Sequence, residues 1–153
     1  MTAAVGSRAP DLSARNQYGE TVRLSDYAGL RDVVLVFYPY AFSQVCTSEL
    51  AELRDRPELL AAAEFLAISC DPMFTLRAYA EAQRLEFGLL SDFWPHGAIA
   101  SAYGVFDADR GCAVRGTFVV DRTGVIRWSV VNAIPEARNP DDYAKALATL
   151  NLR

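Results

Sequence analysis

The stretch DVVLVFYPYAFSQVCTSELAELR, residues 32–54, constrains this chain more than any other. Residues 33–38 form an apolar run rich in β-branched and aromatic side chains, the pattern of a strand buried on both faces. Pro39 ends the ladder because it has no N–H to donate and a fixed φ. After a short loop, Tyr40-Ala41-Phe42, Ser43 suits a helix N-cap. Val45, Cys46, Leu50 and Leu53 then recur at helical spacing, while Glu52, Arg54 and Asp55 take the solvent side. The stretch predicts a core strand, a tight loop and a helix with Cys46 in its first turn.

That position has chemical consequences. First-turn N–H groups lack intrahelical acceptors, and the helix dipole places partial positive charge there. A thiolate at such a site is stabilised, so more nucleophile is present at neutral pH. Cys46 also shares a helical face with Leu50 and Leu53, so an inert buried thiol is the alternative.

The remainder reads as alternating strands and helices. Residues 12–24 hold two short strand-like pieces around Asn16-Gln17-Tyr18-Gly19, then a brief helical turn at Ser25-Asp26-Tyr27. Pro57 marks a break before a short helix over 58–63. Residues 64–70, EFLAISC, read as a second buried strand, and Asp71-Pro72 opens a helix to about Arg84. A short strand over 89–91 and a helix over 95–103 follow. Residues 116–120 and 125–131 alternate β-formers around Asp121-Arg122-Thr123-Gly124, a hairpin signal, and Asn139-Pro140-Asp141 starts a last amphipathic helix. This order predicts an α/β fold, a mixed sheet flanked by helices, in a single domain over residues 1–153.

Composition excludes several classes. Fifteen Lys and Arg against nineteen Asp and Glu give a net charge of −4, with no basic cluster to hold nucleic acid. MTAAVGSRAP contains no secretory h-region and no apolar run reaches membrane-spanning length, so a cytoplasmic protein without membrane partners is expected. The cysteines at 46, 70 and 112 are odd in number and widely spaced, as thiols of a reducing compartment are. His96 is the only histidine and has no neighbouring ligand, so no metal site is expected.

Pro39, Ser43 and Cys46 spell P-x-x-x-S-x-x-C, which resembles the peroxiredoxin motif P-x-x-x-[TS]-x-x-C. VGSRAPDLSARNQYGETVRLSDYAG, LLSDFWPHGAIASAYGVF and RGTFVVDRTGVIRW resemble that family's amino-terminal, central and later hairpin segments, in the same order. SDFWPHG and RGTFVVD together are most similar to the one-cysteine alkyl hydroperoxide reductase E subgroup. The resemblance implies a thioredoxin-like fold with peroxiredoxin insertions. It implies a thiol-dependent peroxidase that reduces hydrogen peroxide, alkyl hydroperoxides and peroxynitrite through a Cys46 sulfenic acid, with no cofactor.

It also implies roles. Cys46 is the nucleophile, Ser43 bonds the peroxide, Pro39 shields the thiol and Arg115 supplies the cation. Glu49 orients the hydroxyl and the arginine, and Trp94 packs near the pocket. Each has a plainer alternative: Ser43 as N-cap, Arg115 solvated or paired with Asp107 or Asp109, Glu49 facing solvent, Trp94 in a core or interface. A C-x-x-C pair is absent because Ser43 replaces its first cysteine, which points away from dithiol exchange. Cys70 ends a core strand and reads as inert, whereas Cys112 sits in a glycine-containing loop and stays open as a resolving thiol. The reading favoured is a one-cysteine cycle in a homodimer, with a low-molecular-weight thiol or a thioredoxin- or mycoredoxin-like reductant. The alternative is a redox sensor or holdase in which Cys46 oxidation switches partner binding.

Overall fold

A computed structural model of the protein describes residues 2–151. Asn16 closes the first turn by accepting the N–H groups of Tyr18 (2.9 Å) and Glu20 (3.0 Å) on its side-chain oxygen. Strands β1 (Ser13–Arg15) and β2 (Thr21–Arg23) therefore pair antiparallel, followed by a single 3-10 turn at Leu24–Tyr27. The predicted core strand is β3 (Val33–Phe37), buried at every position. Next come α1 (Gln44–Arg54), α2 (Pro57–Ala62), β4 (Glu64–Ser69), α3 (Met73–Gln83) and β5 (Gly88–Ser91).

The expected helix over 95–103 is shorter, α4 (Ala98–Ala102). Gly97 is left-handed, with φ 70°, and a Cβ there would strike the Phe106 ring. The Asp92 carboxylate instead receives the N–H groups of Ile99 and Ala100, each at 2.9 Å, and so fixes where the helix starts. Two strands that the sequence pattern did not announce follow, β6 (Phe106–Asp107) and β7 (Cys112–Ala113), paired with each other. Then β8 (Arg115–Val120) and β9 (Ile126–Asn132) form the expected hairpin, and α5 (Pro140–Leu150) closes the order.

The main sheet has the order β2-β1-β5-β4-β3-β8-β9. Its centre, β5-β4-β3, is parallel, and β8 runs antiparallel to β3. Period-two alternation divides β3 between two cores. Val34, Val36 and Tyr38 face Leu50, Leu53, Leu76, Tyr79 and Leu147, from α1, α3 and α5. Val33, Leu35 and Phe37 face Ala100, Tyr103, Val105 and Phe118 on the opposite side. Such burial on both faces explains the unbroken apolar run.

This topology sets the site. The carboxyl ends of the parallel strands open onto the start of α1, the edge where α/β sheets place their functional loops. Because β8 is antiparallel, with Thr117 opposite Val36, Arg115 lies beyond that same end of β3. Residues distant in sequence meet there. Among the described residues no helix is long and apolar enough to cross a membrane.

Candidate active site

The loop between β3 and α1 is held in a single shape. Pro39 is buried at the strand's end, and Ala41 N–H donates to Asp71 Oδ2 at 2.8 Å. Ser69 Oγ donates to that same carboxylate oxygen at 2.7 Å. Phe42 adopts φ 70°, a conformation rarely taken by a residue with a side chain. Ser43 is the N-cap by backbone geometry, and the first helical bond runs from Thr47 N–H to Ser43 O at 2.9 Å. Cys46 is thus the third residue of α1, and its N–H lies in the turn that has no intrahelical acceptor.

The expected side-chain cap is not made. Among the described residues Ser43 Oγ has no hydrogen-bond partner, although it is buried. The serine's backbone (φ −70°, ψ 150°) has the extended geometry of an ordinary N-cap, so it is the direction of the side chain that leaves the hydroxyl off the helix N–H groups.

Arg115 reaches the thiol. Its Nη1 donates to Cys46 Sγ at 3.3 Å and to Glu49 Oε1 at 2.5 Å, and its Nε donates to Ile134 O at 2.5 Å. Arg115 is 1 % exposed, so the solvated alternative is corrected. Asp107 pairs with Arg110 instead, across three residues of its own loop.

Glu49 is likewise buried rather than solvent-facing. A second arginine that the sequence reading missed, Arg138, accounts for this. Its backbone N–H and Nε donate to Glu49 Oε2 at 2.7 and 2.9 Å, and its Nη2 to Oε1 at 3.0 Å. Its Nη1 spans Gly116 O (2.9 Å) and Thr117 Oγ1 (3.1 Å), tying the cluster to β8. Burial pushes the Glu49 carboxyl up, but the hydrogen bonds and charge of Arg138, with the charge of Arg115, outweigh it. The carboxyl is held below its ordinary value. Glu49 is therefore the shared anion of two buried cations. Nothing in residue type or spacing marks Arg138, which sits in a loop just before Asn-Pro.

The other named residues lie elsewhere. Trp94 does not pack against the thiol within this chain; it is 82 % exposed and lines a surface recess with Phe74 and Phe93. Cys70 is buried just past β4, and burial pushes its thiol up to about 12. Cys112 is not on an open loop. Its pairing opposite Asp107 in the β6-β7 ladder turns it inward, fully buried, and burial raises its pKa too. His96 bridges the carbonyls of Phe93 (3.2 Å) and Gly111 (2.7 Å), a structural placement.

A mixed sheet with a buried thiol at a helix start and an arginine on its sulfur defines a thiol enzyme of thioredoxin-like fold. The AhpC/TSA family model matches residues 5–129. Alkyl hydroperoxide reductase E of Mycobacterium tuberculosis is 47% identical over 150 residues, covering 95% of this chain and 97% of that protein. The reduced 2-Cys peroxiredoxin of Plasmodium vivax matches with a TM-score of 0.89 at 25% identity, over 98% of this chain and 83% of that one. The peroxidoxin BcpB of Mycobacterium tuberculosis matches with a TM-score of 0.82 at 32% identity, over 97% and 96%. The chain belongs to the AhpC/TSA family of peroxiredoxins. It is a thiol-dependent peroxidase, an oxidoreductase.

Proposed function

We propose that Cys46 is the peroxide-reducing thiol, and that Arg115, Ser43 and Pro39 form the site around it. The observation that carries this is the 3.3 Å approach of Arg115 Nη1 to Cys46 Sγ inside a buried ion cluster. Two guanidinium charges, Arg115 and Arg138, against one carboxylate, Glu49, leave one positive charge in a site shielded from water. Buried charge needs a counter-charge, and a Cys46 thiolate is the group placed to provide it.

In the reaction the thiolate attacks one oxygen of the peroxide. An S–O bond forms, the O–O bond breaks, and its electron pair leaves on the other oxygen, which takes up a proton to become water or alcohol, or departs as nitrite when the substrate is peroxynitrite. Arg115 donates toward that developing charge, as do the Cys46 N–H and the unpartnered Ser43 hydroxyl. Pro39, buried beside the loop, excludes water. Glu49 holds Arg115 in place, and Arg138 holds Glu49.

The sulfenic acid left on Cys46 then condenses with an external thiol, losing water, and a second thiol releases Cys46. Burial and raised pKa values at Cys70 and Cys112 support this one-cysteine cycle. The reductant is a low-molecular-weight thiol or a thioredoxin- or mycoredoxin-like protein. Substrates are hydrogen peroxide, alkyl hydroperoxides, as the name of the Mycobacterium tuberculosis relative suggests, and peroxynitrite. Three unpaired cysteines support a cytoplasmic setting. The exposed Phe74, Phe93 and Trp94 support a homodimer, with Trp94 as an interface residue. The reading is tested by mixing one equivalent of peroxide with the reduced protein and trapping with dimedone. A Cys46 adduct is expected, and its absence would overturn the proposal.

A further inference from the structure

At the opposite end of β3 from Cys46, a cavity of about 340 Å³ lies between the N-terminal segment, the 3-10 turn and the turn of the β8-β9 hairpin. That volume is within the range of small-molecule sites. Val33, the first residue of β3, and Val120, the last of β8, form its floor with Ala9 and Leu24, all four buried. Tyr27 walls one side. Arg8 and Asp11, both exposed, line the same cavity.

The charges around it are unevenly engaged. Arg31 pairs with Glu64 Oε2 at 3.2 Å and donates to Ala61 O at 3.2 Å. Asp121 receives Arg127 Nε at 2.5 Å and the Thr123 hydroxyl at 2.6 Å. Arg8 and Asp11 bond only to backbone groups, and among the described residues no ion pair joins either of them to another side chain. Arg8 Nη1 donates to Thr123 O at 3.2 Å, which leaves the rest of its N–H fork for a ligand. Asp11 Oδ1 accepts the N–H groups of Leu12 (2.9 Å) and Ser25 (3.2 Å), and its other oxygen keeps its lone pairs.

Both ions are held in place by the fold. Segment 6–9 is stitched to the hairpin by Gly6 N–H to Ile126 O and Ala9 N–H to Gly124 O, both at 2.8 Å. Gly124 has φ 86°, and a Cβ there would come within 2.8 Å of Arg8 Nη1, so glycine lets the guanidinium lie across the turn. The two N–H groups on Asp11 fix its carboxylate beside the 3-10 turn in the same way. Holding both charges beforehand lowers the ordering cost of binding.

We propose that this cavity binds a free apolar α-amino acid, with Arg8 taking its carboxylate, Asp11 its ammonium group and the Val33–Val120 floor its side chain. One cation and one anion beside an apolar floor match a zwitterion with an apolar body. A fatty acid or a chain terminus brings a single charge and leaves the other ion unmet. The whole of β3 separates the cavity from Cys46, so the proposal does not rest on the role of that thiol.

The test is titration of the reduced protein with L-leucine, N-acetyl-L-leucine, L-leucinamide and glycine, followed by NMR shifts of the backbone amides. L-leucine should move the amides at 8–9, 24–28 and 121–125 saturably and leave those at 43–49 in place. Removing either ligand charge should weaken binding about fivefold, the upper reach of a partly exposed ion pair. Glycine, which lacks the side chain, should bind about tenfold more weakly or worse. Arg8→Gln should erase the difference between leucine and its amide. Asp11→Asn, which keeps an oxygen for Leu12 and Ser25, should erase that between leucine and its acetylated form. No saturable shift at these amides, or equal binding of leucine and both blocked forms by the parent, would overturn the site. If either variant fails to fold, the blocked forms decide the matter in the parent. Neither result touches the assignment of Cys46, which peroxide kinetics test separately.

Discussion

Arg115 Nη1 stands 3.3 Å from Cys46 Sγ while donating at 2.5 Å to Glu49 Oε1, so one nitrogen joins the thiol to the buried carboxylate. The guanidinium's other anchor, Ile134 O, fixes its plane. This is a fork held at three points, which an ammonium on a flexible stem cannot reproduce. Arg115→Lys should fold yet react more slowly with peroxide, and Arg115→Ala should lose about a hundredfold or more in rate. Stopped-flow oxidation of Cys46 checks both; parental kinetics in the alanine variant would make Arg115 a structural residue only.

Ser43 separates capping from chemistry. Because its hydroxyl caps nothing, Ser43→Ala should not lose the roughly 1 kcal/mol expected from deleting an N-cap bond. It should nevertheless slow peroxide reduction by about tenfold or more, through loss of a donor to the reacting oxygens. Chemical denaturation alongside the rate measurement distinguishes the outcomes. A stability loss with unchanged rate would return Ser43 to capping.

Arg138 is expected to matter twice. Arg138→Ala breaks a buried, multiply bonded ion pair, which should destabilise the fold by about 3 kcal/mol or more. It also leaves Arg115 and Glu49 balanced, with no surplus charge for a thiolate, so the surviving folded protein should react more slowly with peroxide. Urea titration with kinetics on the folded fraction is the check, and a full rate would sink the charge-balance argument.

The same cluster predicts an acid limit. The folded Glu49 carboxyl lies below its ordinary value of 4.5, so its contribution is fully present above that value. Stability is then lost as pH falls through the lower, folded value, because protonation releases both arginines. Denaturation midpoints measured from pH 7 downward should fall steeply below about pH 4.5 in the parent and less in Arg138→Ala. Equal slopes would show that other carboxylates dominate.

Much of the architecture was legible because it is local. The buried strand at 33–38, the helix start at Ser43 and the hairpin around 121–124 follow from patterns within a few residues, and the structure has each of them. The unread parts are long-range. Arg138 is buried by a carboxylate 89 positions away, and no local pattern separates it from a solvated loop arginine. Cys112 looked like a loop thiol because β7 is two residues long, too short for a periodic signal. The helix predicted over 95–103 was overstated because Gly97 is dictated by Phe106 and Asp92, not by its neighbours. Family resemblance placed Trp94 near the pocket, but within one chain it points to solvent.

With Cys70 and Cys112 buried, an external thiol should suffice for turnover. Alanine is the suitable replacement at both, since it puts no polar hydroxyl into a buried site. The Cys70→Ala/Cys112→Ala protein should turn over peroxide with an added thiol as the parent does. A quantitative Cys46–Cys112 disulfide in the parent after one equivalent of peroxide, with turnover lost on replacing Cys112, would overturn the one-cysteine cycle.

The most direct test of the central assignment is rapid mixing of the reduced protein and its Cys46→Ser variant with hydrogen peroxide, an alkyl hydroperoxide and peroxynitrite. The parent should consume one equivalent in a fast phase that leaves a Cys46 sulfenic acid, and the folded variant should show no such phase. A Cys46→Ser protein that removes peroxide at the parental rate would contradict the account.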